Sequence, residues 1–303
     1  MTITYETREP ALNHFFDEIS RLLRLEHLAL PTSSPAVRQE ALDLILATLP
    51  SLTPPQKSQL VHFLYKKELI SIPHPILHFW DTEILELDLR GLDLRRIYLN
   101  RAIMNRARLS GADLTKADLD SANLENARLN GAILHEAKLN WVNLSHAIVT
   151  NATLTNTSFG GAALRLTKFN GSNLRWSHLP RATMHKTNFQ NADMNNVILN
   201  RSRGEGINFN RASLIEASFK ETQYKIATFE KAKLNGTDFT QSRLISCEFI
   251  EADLQGAKFN EANLTGSDFT DAKVSGAKFD DAIMPNGLPY DKDKPLEDQL
   301  KSP

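Results

Sequence analysis

The stretch that decides the fold is "ANLENARLNGAILHEAKLNW", residues 122–141. Alanine returns at every fifth position, and a leucine stands two residues after each alanine. An α-helix turns about 140° in five residues, so this spacing would scatter the leucines over its whole surface. In a flat strand, an odd spacing places successive leucines on opposite faces. We therefore interpret each pentapeptide as a short extended segment followed by a corner, which returns the same two positions to the interior.

The same pattern extends far in both directions. A position that we name the centre, usually Leu or Phe, recurs at every fifth residue from Leu89 to Met284 without an insertion. The residue two before each centre, named the small position, is Ala, Ser, Thr or Cys from Ala102 to Ala282, with three exceptions: Val142, Val197 and Ile207. A register held over so many repeats predicts a solenoid.

The phenylalanines indicate how many pentapeptides make one rung. Every phenylalanine after residue 100 is a centre, and these residues form two series whose members differ by multiples of 20. The series are Phe159, Phe219, Phe239, Phe259, Phe279 and Phe169, Phe189, Phe209, Phe229, Phe249, Phe269. Four pentapeptides per rung would place residue n against residue n+20 and make two stacks that face each other across the core. Glycine and asparagine concentrate two residues after the centres, where we predict corners with positive φ.

One position breaks the rule for the core. Gly204 is a centre but has no side chain, and Tyr224, the one tyrosine among the centres, stands one rung later. Native interiors leave few voids, so we predict that the Tyr224 ring fills the space at Gly204. The alternative is a local cleft.

The segment "GADLTKADLDSANLENARL", residues 111–129, is similar to the pentapeptide repeat family, whose repeat reads A-(D/N)-L-x-x. The resemblance covers about residues 85–285 and implies a right-handed quadrilateral β-helix, here a mainly β chain of about ten rungs. Apolar residues spaced three or four apart predict three helices within residues 10–67. The end of that region resembles a segment that precedes the repeats in cyanobacterial members. We predict an α-helical N-terminal domain and linker over residues 1–80, the solenoid over 81–285 and a tail over 286–303.

Composition narrows the function classes. The chain has 303 residues and a formal net charge of -1, so it has no bulk attraction to nucleic acid or to anionic membranes. Its single cysteine, Cys247, excludes an internal disulfide and stands at a small position, where the thiol faces the interior. No apolar run reaches the roughly 20 residues of a membrane span, and the first residues carry acids where a signal peptide needs bases. We expect a cytoplasmic protein.

The sequence gives little support for an enzyme. It contains no P-loop, no G-x-G-x-x-G and no G-x-S-x-G. Four histidines of the repeat region, His135, His146, His178 and His185, fall in four different stacks, so they do not predict a metal site. His74 and His78 flank Pro75 and are interpreted as linker residues. We predict no catalytic, cofactor-binding or metal-binding residues and no small-molecule substrate.

Charge and tryptophan placement point to a surface in the middle of the rod. Residues 156–230 contain ten Lys and Arg against five acids, whereas acids lead nine to six over residues 231–284. A solvated face is the simplest explanation, and nucleic acid is an unlikely partner because this region lacks aromatics arranged to stack on bases. Trp141 and Trp176 stand at corners on either side of one face. The candidate protein-binding surface comprises Trp141, Trp176, Arg165, Leu166, Arg181, His185, Lys186, Arg201 and Arg203, since exposed Trp and Arg are enriched at binding hot spots. The alternative is that each tryptophan only covers a neighbouring corner or packs against the helices.

We therefore predict a non-enzymatic scaffold or regulatory protein that binds another protein. The resemblance offers one alternative, because the family includes proteins that protect DNA gyrase by mimicking DNA. Such mimicry requires an ordered row of carboxylates. The stack through Asp93 instead reads Asp93, Asp113, Ile133, Thr153, Asn173, Asp193, Ser213, Lys233.

Overall fold

A computed structural model describes residues 10–29 and 33–301. Three helices come first, α1 (Pro10–Leu25), α2 (Pro35–Thr48) and α3 (Pro54–Lys66), with a short 3₁₀ turn at Leu49–Ser51. The side chain of Ser34 accepts a hydrogen bond from the Val37 amide at the start of α2, and Thr53 and Gln56 form a capping box at the start of α3. The prediction of a mainly helical segment over residues 10–67 is confirmed for its described part. The first nine residues, which entered the signal-peptide expectation, lie outside the described residues.

The solenoid is built from parallel pairs between residue n and residue n+20. These pairs run from Glu83 with Ile103 to Asn263 with Ile283. Each rung therefore has four walls, which we number by the centres that they contain. Wall 1 contains Leu164, Met184, Gly204, Tyr224 and Leu244; wall 2, Phe169 to Phe269; wall 3, Leu174, Met194, Leu214 and Leu234; and wall 4, Leu139, Phe159, Leu179, Leu199 and Phe219. A corner is named by the two walls that it joins.

Phenylalanine rings fill much of the core in the second half of the rod. Neighbouring rings of one stack lie 4.8–5.2 Å apart between centroids. The two stacks meet edge to face across the core at 5.7–6.2 Å. The prediction of four pentapeptides per rung, with two facing phenylalanine stacks, is confirmed. The prediction that all centres from Leu94 to Met284 are buried is wrong at Val274, which is only partly buried because no further rung covers it.

Most polar residues at the small positions find partners inside the core, although the buried Ser242 hydroxyl has none among the described residues. Seven buried Ser and Thr hydroxyls donate to the carbonyl of the centre 23 residues earlier, as Thr157 does to Leu134 at 2.7 Å. Hydrogen bonding removes most of the cost of burying a hydroxyl. Thr and Ser can therefore replace alanine at the small position without breaking the repeat.

Gly204 and Tyr224 form the exchange that the sequence predicted. The Tyr224 ring is buried, and its hydroxyl lies 2.6 Å from the Ser202 hydroxyl in the preceding rung. The ring therefore leans toward the level of Gly204. A Cβ added to Gly204 would overlap the backbone carbonyl of Met184, so the site accepts only glycine without a shift of the backbone.

Most corners are tight turns. The carbonyl of a centre accepts a hydrogen bond from the amide three residues later, and the second corner residue has a positive φ, as at Ser121 (59°). This arrangement matches type II turns and confirms the predicted backbone at the glycine and asparagine positions. On corner 1/2 the hydrogen bond is missing from the described structure after Met184, Gly204, Tyr224 and Leu244. The chain there stays extended for longer and gives three parallel strands on wall 1, β1 (Arg203–Glu205), β2 (Gln223–Lys225) and β3 (Arg243–Ile245).

Both ends of the rod are covered. Beyond α3, Ser71 pairs with Ile97 of the first rungs, and the buried side chains of Leu87 and Ile97 join the helical core. At the other end Pro289 pairs with Ile283, and the Tyr290 ring lies 6.0 Å from that of Phe279. A short helix, α4 (Leu296–Gln299), follows. Covered edges prevent the sheets from pairing with another chain. The division of the chain at residues 80 and 285 stays a prediction.

Candidate protein-binding surface

Trp141 is the most exposed tryptophan and lies on corner 4/1. The residue is 64% exposed. The indole lies over Gly161 of the next rung, and a Cβ added to Gly161 would overlap the ring. Part of the Trp141 side chain therefore covers the neighbouring corner, as the alternative interpretation of the sequence predicted. The residue as a whole nevertheless stays largely exposed.

A groove of about 480 Å³ begins at this indole and follows the corner over several rungs. It is lined by Asn140, Trp141, Gly160, Gly161, Pro180, Arg181, Asn200, Arg201, Lys220 and Glu221. The groove brings together three predicted residues: Trp141, Arg181 and Arg201. The Arg201 guanidinium donates to Glu221 from Nε at 2.9 Å, so its charge is compensated. Arg181 has no carboxylate within 4 Å among the described residues.

Five further predicted residues surround wall 1. Arg203 projects outward from strand β1. Arg165, His185 and Lys186 are exposed on corner 1/2, where Leu166 is partly buried. The Arg165 guanidinium lies 3.2 Å from the His146 ring nitrogen Nε2. These residues share wall 1 with the Trp141 groove, so one partner can contact both.

Trp176 stands apart from the others. It lies on corner 3/4, is 46% exposed, and carries the Arg175 guanidinium 4.6 Å from its ring centroid. Each pentapeptide turns the chain by a quarter of the rung, so corner 3/4 is diagonally opposite corner 1/2. The nine predicted residues therefore do not form one patch. Eight lie on wall 1 and its two corners, whereas Trp176 lies beyond wall 4.

Ion pairing separates the basic residues of this region. Of the ten Lys and Arg in residues 156–230, only Arg175, Arg201 and Lys220 have a carboxylate within 4 Å in the described part of the chain. The seven others are Arg165, Lys168, Arg181, Lys186, Arg203, Arg211 and Lys225. Sequence reasoning left Lys225 and Arg243 out of the candidate surface, although the 20-residue register places both on wall 1 or its corner.

Titratable groups of the interior do not form a reactive site. Burial raises the pKa of the Cys247 thiol to about 12, so the thiol stays protonated at neutral pH. Burial also raises the pKa of Tyr224. Within residues 10–29 and 33–301, no group of three or more His, Cys, Asp or Glu is placed to hold a metal ion. None of the helices in the same ranges has the length and apolar character needed to cross a membrane.

A cleft between the helices and the first rungs escaped the sequence analysis. Its volume is about 780 Å³, and α1, α3 and the solenoid all contribute to it. Phe16, Phe63 and Leu92 supply apolar contacts, while His62 and Lys66 supply nitrogen atoms. Burial and then the charge of Lys66 lower the pKa of His62. The cleft was missed because it depends on how the helices dock on the rod, which no local pattern reports.

The carboxylates of wall 3 do not continue along the rod. Asp93 pairs with Asp113 in the ladder, but the following partners are Ile133, Thr153 and Asn173. Hydrogen bonds from Arg95 hold the pKa of Asp93 at about 2, and the Arg95 side chain also lies 3.8 Å from Asp113. These two charges are thus partly compensated rather than presented in a row.

The repeats match a known family. A sequence model of pentapeptide repeats matches eight copies, within residues 93–131, 132–171, 167–203, 227–259 and 247–284, which together cover more than half of the chain. The chain belongs to the pentapeptide repeat family. The predicted fold, a right-handed quadrilateral β-helix with N-terminal helices, is confirmed for this pentapeptide repeat protein.

Solved structures of the family are similar to the chain over part of its length. HetL, a pentapeptide repeat protein involved in heterocyst differentiation regulation from the cyanobacterium Nostoc sp., shares 26% identity, with 70% of this chain and 92% of HetL covered and a TM-score of 0.44. QnrB1, a plasmid-mediated fluoroquinolone resistance protein, shares 17% identity, with 65% and 92% covered and a TM-score of 0.44. No curated protein matches the chain.

Proposed function

We propose that this pentapeptide repeat protein is a non-enzymatic scaffold or regulator that binds another protein in the cytoplasm. Its partner contacts wall 1 and the corners on either side. The observation that carries the proposal is Trp141, a residue that is 64% exposed at the mouth of the corner 4/1 groove beside the uncompensated charge of Arg181. Tryptophan and arginine are the residues most often found at the energetic centre of protein interfaces.

The rod is well suited to hold such a surface in place. Backbone hydrogen bonds link each rung to the next, and the core beneath wall 1 is filled with side chains. A rigid surface loses little conformational entropy on binding, so more of the contact energy appears as affinity. The groove needs no rearrangement to accept a side chain of the partner.

The non-enzymatic part of the proposal is supported by the chemistry of the interior. The Cys247 thiol is buried and protonated, and the Tyr224 hydroxyl is engaged with Ser202. Neither group reaches the surface. The exposed side chains on wall 1 and its corners are mainly cations, amides and apolar groups, and the carboxylate of Glu221 is bound by Arg201. Such side chains bind and orient a partner, whereas covalent catalysis requires a nucleophile paired with a base.

The test compares the two tryptophans. Tagged wild type, Trp141→Ala and Trp176→Ala are used to capture partners from cells that make the protein, with a thermal melt of each variant. We expect Trp141→Ala to lose a partner that wild type and Trp176→Ala retain, at an unchanged melting temperature. Retention of every partner by a folded Trp141→Ala variant contradicts the proposal. Should Trp141→Ala shift the melt, Arg181→Glu provides the same test without removing the indole from Gly161.

A further inference from the structure

Six exposed cations form a strip along wall 1. We name as the basic strip Arg165, Arg181, Lys186, Arg203, Lys225 and Arg243. None of the six has a carboxylate within 4 Å in the described ranges. Two carboxylates, Glu205 and Glu221, lie among these cations. Arg201 already pairs with Glu221, so Glu205 is the one carboxylate of this surface that no described cation neutralises. The strip therefore presents a strong net positive charge on a chain whose overall charge is close to zero.

The spacing of the strip is fixed by the strands beneath it. Arg203 pairs with Gln223, and Gln223 pairs with Arg243, so the two arginines project from the same position two rungs apart. Rungs about 4.8 Å apart place these arginines about 10 Å from each other and give the strip a length of roughly 20 Å. An extended peptide rises about 3.3 Å per residue, so about six residues span the strip.

Apolar side chains lie between the charges. Leu166 and Ile226 share corner 1/2 with Lys186, and Ile226 is 44% exposed. Ile245 stands at the end of strand β3, and Trp141 borders the opposite corner. Cations mixed with aliphatic side chains fit a partner that alternates carboxylates with apolar residues. Nucleic acid fits less well, because a single strand requires aromatic faces for its bases within the site, and a longer duplex would extend past Arg243 toward residues 244–284, where acids outnumber Lys and Arg.

We propose that the basic strip binds an acidic, amphipathic segment of about six to ten residues in the partner protein, an inference that rests on the proposed function. The segment is held by side chains rather than by strand addition, because the backbone of wall 1 is already hydrogen bonded to the rungs on both sides. Complementary charge speeds the encounter, and the aliphatic and indole contacts retain the bound segment.

The test uses the full chain and a defined probe. A fluorescein-labelled ten-residue peptide of alternating glutamate and leucine is titrated with protein, and binding is followed by fluorescence anisotropy at two salt concentrations. We compare Arg203→Glu/Arg243→Glu with a matched control, Arg211→Glu/Lys233→Glu, in which the same change of charge is made at corner 2/3 and on wall 3. Arg211 and Lys233 are also exposed and without an ion pair among the described residues.

We expect wild type to bind the peptide more tightly at low salt, the wall 1 variant to bind at least about tenfold more weakly, and the control to stay within about twofold of wild type. Absence of wild-type binding, or equal losses in both variants, overturns the proposal. Tighter binding of a labelled 20-base-pair DNA duplex, which the wall 1 substitutions also weaken, assigns the strip to nucleic acid instead. Partner capture that still depends on Trp141 while the peptide does not bind leaves the proposed function standing and rejects only the acidic segment.

Discussion

Two segments of the solenoid with equal length and the same four-walled repeat, residues 81–155 and residues 156–230, differ in how many of their charges are paired. In the first segment seven of nine Lys and Arg have a carboxylate within 4 Å among the described residues. In the second segment only three of ten do. Several pairs of the first segment join residues 20 apart, such as Arg101 with Asp81 and Lys116 with Glu136.

The contrast between the two segments shows whether the rod needs surface ion pairs for its stability. Exposed ion pairs contribute only about 0–1 kcal/mol each, so pairing in the first segment mainly cancels charge rather than holding the rod together. The pairing between residue n and residue n+20 continues through the second segment, where most cations lack such a partner. The regularity of the rod therefore does not depend on pairing of the wall 1 cations, which is consistent with the proposed binding role.

The largest effect is expected in the core, where the two segments should behave alike. Leu124→Asp places a carboxylate in a dry stack without a partner and is expected to cost several kcal/mol, on the order of 4, of unfolding free energy. The adjacent Asn123→Asp, on the outward side of the same wall, is the control and should change stability little. Urea denaturation measures both. Equal stability of the two variants would show that Leu124 does not face inward.

A second core substitution probes the feature that only the second segment has. Gly204→Ala forces a Cβ into the Met184 carbonyl and is expected to cost about 3 kcal/mol or more, as overpacking does when the backbone must move. Gly131→Ala has open space around its Cβ and only its φ of 62° to strain it, at about 1 kcal/mol. Thermal melts rank the two variants. A larger loss for Gly131→Ala would reject the packing described around Gly204.

Tyr224 gives the second segment a pH dependence. Its hydroxyl bonds to Ser202, so Tyr224→Phe is expected to lose about 1 kcal/mol at pH 7. Burial raises the pKa of Tyr224 in the folded protein above the ordinary value near 10. The unfolded chain therefore releases this proton first, and wild-type stability falls as pH rises from about 10, whereas the variant escapes that loss. Urea denaturation at pH 7 and pH 11 should show the gap between wild type and variant narrowing, and a widening gap would contradict the buried hydroxyl.

The smallest effect is expected at surface charges. Lys116→Gln removes a pair with Glu136 and should cost at most about 0.5 kcal/mol, while Lys186→Gln, which breaks no such pair among the described residues, should be neutral. Melts at low salt provide the measurement. A loss above about 1 kcal/mol at Lys186 would indicate a structural role for that cation and would weaken the contrast between the segments.

Much of the fold could be read from the sequence because its period is a property of the backbone. Each centre and small position repeats the same environment, so Leu89 to Met284 indicate the solenoid and the phenylalanines indicate its rung length. The exception at Val274 concerns an end, where the number of covering rungs decides burial. The four-residue α4 was not predicted, since Leu296–Gln299 is too short to show a helical period.

The candidate surface was less accessible to sequence reasoning. The exposure of Trp141 and Trp176 follows from their corner positions, and the 20-residue register contains the information that separates Trp176 from wall 1. Whether a cation has a carboxylate within 4 Å depends on side-chain conformation as well as on register. Arg201 is paired with Glu221 of the next rung, whereas Lys186 has no such partner among the described residues. The cleft between the helices and the first rungs, lined by Phe16 and Leu92, depends on how the helices dock on the solenoid. The helices and the solenoid share no sequence period from which this docking could be predicted.

The most direct test of the account places a photo-crosslinking amino acid at two equivalent positions of wall 1. Asn123 lies in the first segment and Thr183 in the second, both outward on the same wall and both partly exposed. Irradiation of cells that make each variant, followed by detection of crosslinked protein, compares two outward positions of the same wall. We expect a crosslinked partner from position 183 and none from position 123. Equal crosslinking from both positions, or crosslinking from position 123 alone, would contradict it.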